Sequence, residues 1–471
     1  MKINKCNKIM SAIVYMYLTL PIFIFVVGWL KWYWAFLFGI SILISTIISI
    51  NSDNIEYEKI FLKQNISKIV IAIILIALWV TLSGIGGVMF QNSDHGARTA
   101  MYKALVDYDW PVISNKGNYG LIYYIGYWLP SAVIGKLFGF EIGYKFQMVW
   151  AAIGIFIVYL LICVLRKKVS IWPLIIVILF SGLDIVGSWP QGVIFKFTKH
   201  LEYWSAFFQY SSNTTQLFWV FNQAIPAWVA TTLIVVGKNR KNILFILGSI
   251  MLASTFPFVG LIPFSLYFLF RKLKIQNFKE IFSLQNIVGV CVCGGITFLY
   301  LIGNISAGKV NTFENDIDTS IRMIMYVLFC IIEFGFYMMI LWRNNKKNKF
   351  YYLLLIVLVA CPLIRVGDAQ DFCMRVSIPA LFILMILCIE ELPKLYKEKN
   401  KTLFVCLVIC LSLGACTPMH EINRTIVQTV KAVSKGESPT ERIWSIEEEI
   451  LKGNNFSGPV NESLFYKYLA K

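Results

Sequence analysis

The stretch YGLIYYIGYWLPSAVIGKLF, residues 119–138, decides how this chain is threaded. It is almost wholly apolar, and a helix of about 20 such residues can cross the hydrocarbon core of a bilayer. If it crosses, every later segment changes sides; if it stays on one surface, none does. The remaining sequence has to decide between these two arrangements.

The composition is that of an integral membrane protein. Of the 471 residues, 58% are hydrophobic and 15% are charged, and the mean hydropathy is +0.68. Apolar runs of bilayer length recur along most of the chain and leave no room for a separate soluble domain. We therefore expect an all-α polytopic protein embedded in the lipid bilayer, with about 13 transmembrane helices. The predicted spans are 10–30, 32–50, 68–90, 144–165, 171–187, 217–236, 243–257, 258–270, 285–303, 322–342, 350–365, 376–392 and 402–418.

Basic clusters between the spans predict the orientation, because cytoplasmic loops carry an excess of Lys and Arg. If 119–138 does not cross, six clusters fall on the side of the N-terminus; if it crosses, only the first does. We therefore place 119–138 on the outer surface as a juxtamembrane helix, with Tyr and Trp suited to the interface. The clusters are Lys59/Lys63/Lys68, Arg166/Lys167/Lys168, Lys238/Arg240/Lys241, Arg271/Lys272/Lys274, Arg343/Lys346/Lys347/Lys349 and Lys394/Lys397/Lys399/Lys401.

The net charge of +17 raises the question of nucleic-acid binding. Because the basic residues occur in short clusters between apolar runs, they do not form the continuous accessible face that a nucleic acid needs. We expect no nucleic-acid partner.

The predicted organisation is a membrane-embedded domain, residues 1–418, followed by a short extracytoplasmic tail, 419–471. The first outer loop, 91–143, is the most elaborate. Segment 243–270 is short for two crossings and fits either two spans or a re-entrant hairpin. The tail contains TERIWSIEEEILKG (440–453), a predicted amphipathic helix, and is too small for a core of its own, so we expect it to pack on the outer loops.

The first polar group on the outer side is NSDHGARTAMYKALVDYDWPV, residues 92–112. Ser93 is a predicted N-cap for a helix over 94–108 that lies on the membrane surface. Asp94 and Arg98 share a face of this helix, which fits a simple i,i+4 ion pair. A carboxylate in the first turn also suits metal coordination or a hydrogen bond to a hydroxyl group. His95 lies beside them.

The second polar group is VGDAQDFCMRVSIPALF, residues 366–382, where another span ends. Asp368 and Asp371 precede Arg375, which stands at the membrane boundary. One interpretation is a capping turn in which Asp371 pairs with Arg375. The other is that the guanidinium grips a lipid-borne phosphate through two parallel hydrogen bonds. The sequence leaves both open.

The third group is SWPQGVIFKFTKHLEYW, residues 188–204. Lys199 and His200 are candidates for contact with a pyrophosphate, and the alternative is an interfacial aromatic loop with solvated charges. Asp184 lies just before this group, and we predict that it is a lone carboxylate in a cavity shared with these polar groups.

This layout resembles the polytopic GT-C glycosyltransferases, which use a polyprenyl-phosphate-linked sugar outside the membrane. The stretch D-H-x-x-R-(x)11-W-P-V, from Asp94 to Val112, is similar to the first outer loop of uncharacterised bacterial members. QDFCMRVSIPALF, residues 370–382, is similar to a later outer-loop motif that usually has Asn where Gln370 stands. Many relatives also carry adjacent acidic residues in the first loop, whereas His95 follows Asp94 here.

The resemblance implies an enzyme of the plasma membrane of a bacterium, an inverting glycosyltransferase of cell-envelope polysaccharide biosynthesis. Its partners would be a polyprenyl-phosphate sugar and a glycan or lipid acceptor. Asp94 would be the catalytic carboxylate, with the other outer polar residues binding substrate. A divalent cation is left open, because a single Asp beside His is a poorer site for a hard cation than paired carboxylates. The substrate-binding candidates are His95, Arg98, Lys199, His200, Asp368, Asp371 and Arg375.

Two other functions remain as alternatives. One is a polysaccharide polymerase or an O-antigen ligase, which is also polytopic with outer arginines but has its long outer loop late in the chain. The other is a non-enzymatic transporter of lipids or sugar-lipids, for which carboxylates deep within the spans are expected.

Overall fold

The computed structural model describes residues 2–191, 200–272, 274–305, 319–364, 366 and 370–471. It is mostly helical (74%), as the composition predicts. The α-helices of the first half are α1 (Lys2–Trp29), α2 (Trp32–Ser52), α3 (Ile66–Leu82), α4 (Asp94–Asp107), α5 (Leu129–Phe138), α6 (Phe140–Arg166), α7 (Trp172–Leu179), α8 (Asp184–Ser188), α9 (Asn213–Gly237) and α10 (Ile243–Ile250).

The second half is built in the same way. Its α-helices are α11 (Thr255–Phe270), α12 (Phe278–Ile281), α13 (Leu284–Val288), α14 (Gly295–Leu301), α15 (Thr319–Cys330), α16 (Phe336–Asn345), α17 (Lys349–Ala360), α18 (Asp371–Val376), α19 (Ile378–Lys397), α20 (Lys401–Gly414) and α21 (Cys416–Ser434). Two π-helical segments, Gly289–Gly294 and Ile331–Gly335, join α13 to α14 and α15 to α16.

Eight helical stretches in the described part of the chain are long and apolar enough to cross a membrane. Helix α9 is the centre of the bundle, since nearly all of its residues are buried. The outer helices instead expose large apolar side chains, such as Phe36 on α2 and Ile74 on α3, to the bundle's surroundings. An apolar outer surface of this kind matches a lipid environment. The stretches are Lys5–Trp29, Trp32–Ser52, Lys63–Leu82, Phe140–Arg166, Asn213–Gly237, Leu284–Leu301, Thr319–Asn345 and Lys401–Ser434.

One end of the bundle gathers the six basic clusters, and we call it the basic end. Asn7 donates to Glu58, Ser52 to Asn242 and Ser283 to the Lys241 carbonyl, which ties the loops around 53–65, 238–242 and 283 together. The rings of Tyr267 and Phe350, at the ends of α11 and α17, lie 5.2 Å apart. Asn344 donates to Glu391 at 2.6 Å and so brings in the end of α19.

Four helices that finish at the basic end are followed by a lysine in the left-handed backbone conformation. Glycine adopts this conformation freely, whereas other residues are strained in it. The four lysines are Lys167 (φ 53°), Lys238 (φ 50°), Lys272 (φ 50°) and Lys399 (φ 55°).

The opposite end, which we call the site end, holds the polar groups singled out in the sequence. Strand β1 (Tyr119–Leu121) pairs antiparallel with β2 (Ser457–Pro459), so the tail packs on the loop 91–143 as expected. The tail is not separated at residue 418, because α21 runs continuously through that position. The amphipathic helix predicted over 440–453 is reduced to the short π-helical segment Ile446–Ile450.

The prediction of one juxtamembrane helix over 119–138 is wrong for its first half. Residues 119–121 form β1, a 3-10 turn covers Gly126–Trp128, and only α5 is α-helical. Pairing with β2 draws the first residues into a strand. Trp128 is fully buried instead of lying at a membrane interface.

Segment 243–270 forms two helices, α10 and α11, joined by residues 251–254. The tip reaches the first outer loop, since the Gly126 N–H donates to the Leu252 carbonyl at 3.1 Å. The far end returns to the basic end, where Arg240 donates to the Leu269 carbonyl.

Candidate functional site

The first outer loop enters α4 through Asn92. The Asp94 N–H donates to the Asn92 Oδ1 atom at 3.1 Å, whereas Ser93 makes no capping hydrogen bond. The expected N-cap is therefore displaced by one residue. The Asn92 amide also donates to the Phe218 carbonyl at 2.8 Å, so the start of α4 is fastened to α9.

Helix α4 is enclosed by protein and does not lie on a membrane surface. Its residues from His95 to Tyr102 are all buried. Gly96 lies so close to the tail that an added Cβ atom would stand 2.6 Å from the Trp444 Nε1 atom. The apolar face predicted from the sequence is real, but the C-terminal tail covers much of the rest. Asp94 is thus held at the rim of a rigid element.

Asp94 and Arg98 form the predicted i,i+4 ion pair, with 2.7 Å between Asp94 Oδ2 and Arg98 Nη2. The aspartate side chain is 42% exposed and the arginine side chain only 10%. The Arg98 Nη1 atom is buried without a partner. Arg98 also lines a 10 Å³ cavity, about the size that holds one water molecule. Arg98 therefore orients Asp94 from beneath and leaves its carboxylate accessible.

His95 points away from this rim. Its Nε2 atom lies 3.2 Å from the Phe218 carbonyl oxygen, and its ring packs against Phe221. Burial and then the Arg98 charge lower the pKa of His95 to about 3, so the ring is neutral and Nε2–H donates. Val220 between these two partners has non-helical backbone angles that kink α9. His95 thus stabilises the kink from inside the fold.

Arg375 is held by two groups at the end of the short helix α18. Its Nη2 atom lies 3.1 Å from Asp371 Oδ1, which is the predicted i,i+4 pair, and its Nη1 atom donates to the Tyr124 hydroxyl at 2.9 Å. The guanidinium side chain is 11% exposed, and its Nε atom is buried without a partner. Tyr123 hydrogen bonds to Tyr124 and completes this group.

The Arg375 group and Asp94 influence one another electrostatically. Burial alone would lower the pKa of Arg375, but Tyr124, Asp371 and Asp94 raise it above its ordinary value overall. Burial raises the pKa of Tyr123, whereas Arg375 and Arg98 both oppose that rise. Charged groups of α4, the 119–128 loop and α18 therefore influence one another electrostatically.

A second charged group on the same side was not foreseen from the sequence. His200 Nδ1 lies 2.8 Å from Glu421 Oε1, Arg424 Nη2 lies 3.2 Å from Glu421 Oε2, and Arg424 Nη1 lies 2.7 Å from His200 Nε2. Because the guanidinium can only donate, the imidazole must accept at Nε2 and donate from Nδ1. The Arg424 Nε atom is buried without a partner.

Tyr203 connects this second group to Asp94. Burial raises the pKa of Tyr203, Glu202 and Asp94 add to the rise, and Arg424 opposes it. His200 was a sequence candidate, but Glu421 and Arg424 stand on α21, far away in sequence. Only their i,i+3 spacing could have signalled a pair.

Asp184 is not the lone carboxylate that the sequence predicts. It is fully buried, accepts hydrogen bonds from Ser181 and Thr417, and acts electrostatically on Glu333 in the π-helical segment of the stretch 319–345. Glu202, 2% exposed, lies nearby.

Lys199 and Asp368 lie outside the described residues. Among the described residues, no group of three or more His, Cys, Asp or Glu side chains is arranged to hold a metal ion.

Comparison with known proteins identifies no matching family, no similar curated protein and no solved structure of similar fold. The function has to be argued from the geometry of the site.

Proposed function

We propose that this chain is a membrane glycosyltransferase of the GT-C type, which transfers a sugar from a polyprenyl-phosphate donor to a cell-envelope glycan or lipid acceptor. The observation that carries the proposal is that the Asp94 carboxylate acts electrostatically on the Arg375 guanidinium, although the two residues are far apart in sequence. A carboxylate facing a guanidinium suits a reaction that activates a hydroxyl group and releases a phosphate.

Asp94 would act as the general base for the acceptor hydroxyl. Its exposed carboxylate would take the proton of the acceptor hydroxyl as the new bond forms between that oxygen and the anomeric carbon of the sugar. The bond between this carbon and the phosphate oxygen breaks at the same time, and its electron pair leaves with the polyprenyl phosphate. Arg98 keeps the carboxylate in place by binding one of its oxygens, and the other oxygen remains available to the acceptor.

Arg375 is the group for the leaving phosphate. Its Nε–H is a buried donor without a partner, which is uncommon for such a strong donor and is satisfied when an anion binds. The Tyr124 hydroxyl, already bonded to Arg375, is a second donor at the same place. Arg424 has the same unpartnered Nε–H and fits a more distant anionic part of the donor or acceptor.

The membrane topology follows from the same proposal. With the basic end in the cytoplasm, the positive-inside rule is satisfied and the site end faces the outside. Counting α10 and α11 as two crossings gives thirteen, which stays a prediction. A lipid-borne donor would then enter laterally from the bilayer, with its phosphate at the depth of Arg375.

The experiment is a glycosyl-transfer assay of the purified protein with a panel of polyprenyl-phosphate sugars. Asp94→Asn is compared with Asp107→Asn, because Asp107 also forms an i,i+4 ion pair on α4, with Lys103 at 2.6 Å. Loss of a general base costs about 10²–10⁴-fold in turnover. We expect that loss for Asp94→Asn only, with equal thermal stability of both variants. Equal transfer by both variants would rule out Asp94 as the catalytic carboxylate.

The buried carboxyl pair favours one alternative, a proton-coupled transporter of lipid-linked sugars. Glu333 stands on a π-helical segment within a candidate span, and both features are frequent at functional sites. Reconstituted vesicles with a labelled lipid-linked sugar separate the two functions. A transporter would move the label between leaflets, lose that movement in Glu333→Gln and keep it in Asp94→Asn. Under our proposal the wild type does not move the label.

A further inference from the structure

A large cavity lies at the basic end, away from the candidate site. Its volume is about 810 Å³. The loop 53–65 forms one wall, and the ends of α3, α6 and α9 form the others. The size falls within the range of small-molecule binding sites. The lining residues are Asn54, Ile55, Glu56, Lys59, Ile60, Leu62, Gln64, Asn65, Lys68, Cys163, Val164, Lys167, Lys168, Val169, Val236 and Gly237.

The cavity carries an excess of positive charge. Lys59 is neutralised by Glu56, with 2.6 Å between their charged atoms. Lys68, Lys167 and Lys168 form no ion pair with any described residue. Three uncompensated ammonium groups around one concave site favour an anion.

The backbone at Lys167 supports a role for its charge. Lys167 ends α6 in the left-handed conformation (φ 53°), in which lysine is strained and glycine is relaxed. Because lysine stands at this position instead of glycine, the turn keeps its backbone strain and also keeps an ammonium group beside the cavity.

The apolar part of the lining points to a lipid. Ile60, Leu62 and Val164 line the cavity together with the lysines. The neighbouring helix α3 exposes Ile66 and Val70, just beyond Lys68, on the lipid-facing surface of the bundle. Acyl chains can therefore lie along α3 while a phosphate sits among the lysines, an arrangement known for basic pockets between membrane helices.

We propose that this cavity binds the phosphate headgroup of an anionic membrane phospholipid, with Lys68, Lys167 and Lys168 as its ligands. The site is independent of the proposed glycosyl transfer. A lysine near a membrane surface contributes about fivefold in affinity for anionic lipid, so removing three predicts a loss of about 100-fold.

The test is native mass spectrometry of the full-length protein in detergent, titrated with phosphatidylglycerol. The variant Lys68→Gln/Lys167→Gln/Lys168→Gln is compared with Lys346→Gln/Lys347→Gln/Lys349→Gln. The control removes the same charge from exposed positions at the same end but outside the cavity. We expect about 100-fold weaker binding for the cavity variant alone.

Three further arms make the result decisive. Replacing the same three lysines with arginine should preserve binding, which separates loss of charge from misfolding. Phosphatidylcholine should bind weakly, and inorganic phosphate should not displace the anionic lipid. Equal binding by the cavity and control variants would overturn the proposal. Displacement by free phosphate would assign the cavity to a soluble anion instead of a lipid.

Discussion

Glu202 offers a prediction in which both the sign and the size follow from the structure. It lies in the 3-10 turn Leu201–Ser205, where Oε1 accepts from the Ser212 N–H at 2.9 Å and Oε2 from the Gln209 amide at 3.1 Å. Burial raises the pKa of Glu202 from 4.5 to about 8, and Asp184 and Glu421 add to the rise. The folded protein therefore holds a proton that the unfolded chain releases.

This difference makes stability fall as the pH rises. Below about pH 4.5, Glu202 is protonated in both the folded and the unfolded state, so its contribution to the unfolding free energy is constant. Between about pH 4.5 and pH 8, Glu202 ionises in the unfolded chain but not in the folded protein, so the unfolding free energy falls. At about 1.4 kcal/mol per pKa unit, the rise corresponds to about 5 kcal/mol of unfolding free energy. Glu202→Gln mimics the protonated group and keeps both contacts if the Gln209 amide rotates.

Thermal unfolding in detergent from about pH 5 to pH 9 is the assay. Wild type and Glu202→Gln should unfold at similar temperatures near pH 5 and diverge with increasing pH, the variant being more stable. Glu462→Gln, an exposed acid of the tail, should follow the wild type. Parallel curves for wild type and Glu202→Gln would refute the reasoning.

Three further predictions concern other parts of the fold. Gly96→Ala should push Trp444 away and make the tail more sensitive to limited proteolysis. Gly295→Ala is the control and should leave this sensitivity unchanged, because its added Cβ atom would meet nothing closer than 3.8 Å. Asn242→Ala should lower the unfolding free energy by about 3 kcal/mol or more, measured by denaturation, because this buried amide links α1, α2 and α13 through hydrogen bonds. His95→Gln should lose less stability than wild type between about pH 6.5 and pH 4, because protonation of the buried imidazole is unfavourable in the folded state; equal acid sensitivity would contradict this.

Sequence patterns predicted the features that depend on near neighbours. The apolar runs indicated helices that can cross a membrane, and the i,i+4 spacing of Asp94 with Arg98 and of Asp371 with Arg375 gave both ion pairs. These follow from helix geometry alone.

Features that depend on distant neighbours were beyond such patterns. The residues 119–121 form a strand only because 457–459 pair with them. Likewise, Asp184 acts electrostatically on Glu333, and His200 pairs with Glu421, across long stretches of chain. Local periodicity contains no information about which remote segment will be adjacent. The buried carboxyl pair and the Arg424 group could therefore not be predicted from the sequence.

The four left-handed lysines that follow helices at the basic end couple two properties usually treated separately. Each position has about 1 kcal/mol or more of backbone strain that glycine would relieve. Under the proposed topology, glycine there would also delete a positive charge that keeps the adjoining loop on the cytoplasmic side during insertion. Replacing all four lysines with glycine should therefore raise the unfolding temperature of the folded protein. It should also increase the fraction of molecules inserted in the opposite orientation. Under the proposed topology, helix termination and membrane orientation both depend on the same four side chains.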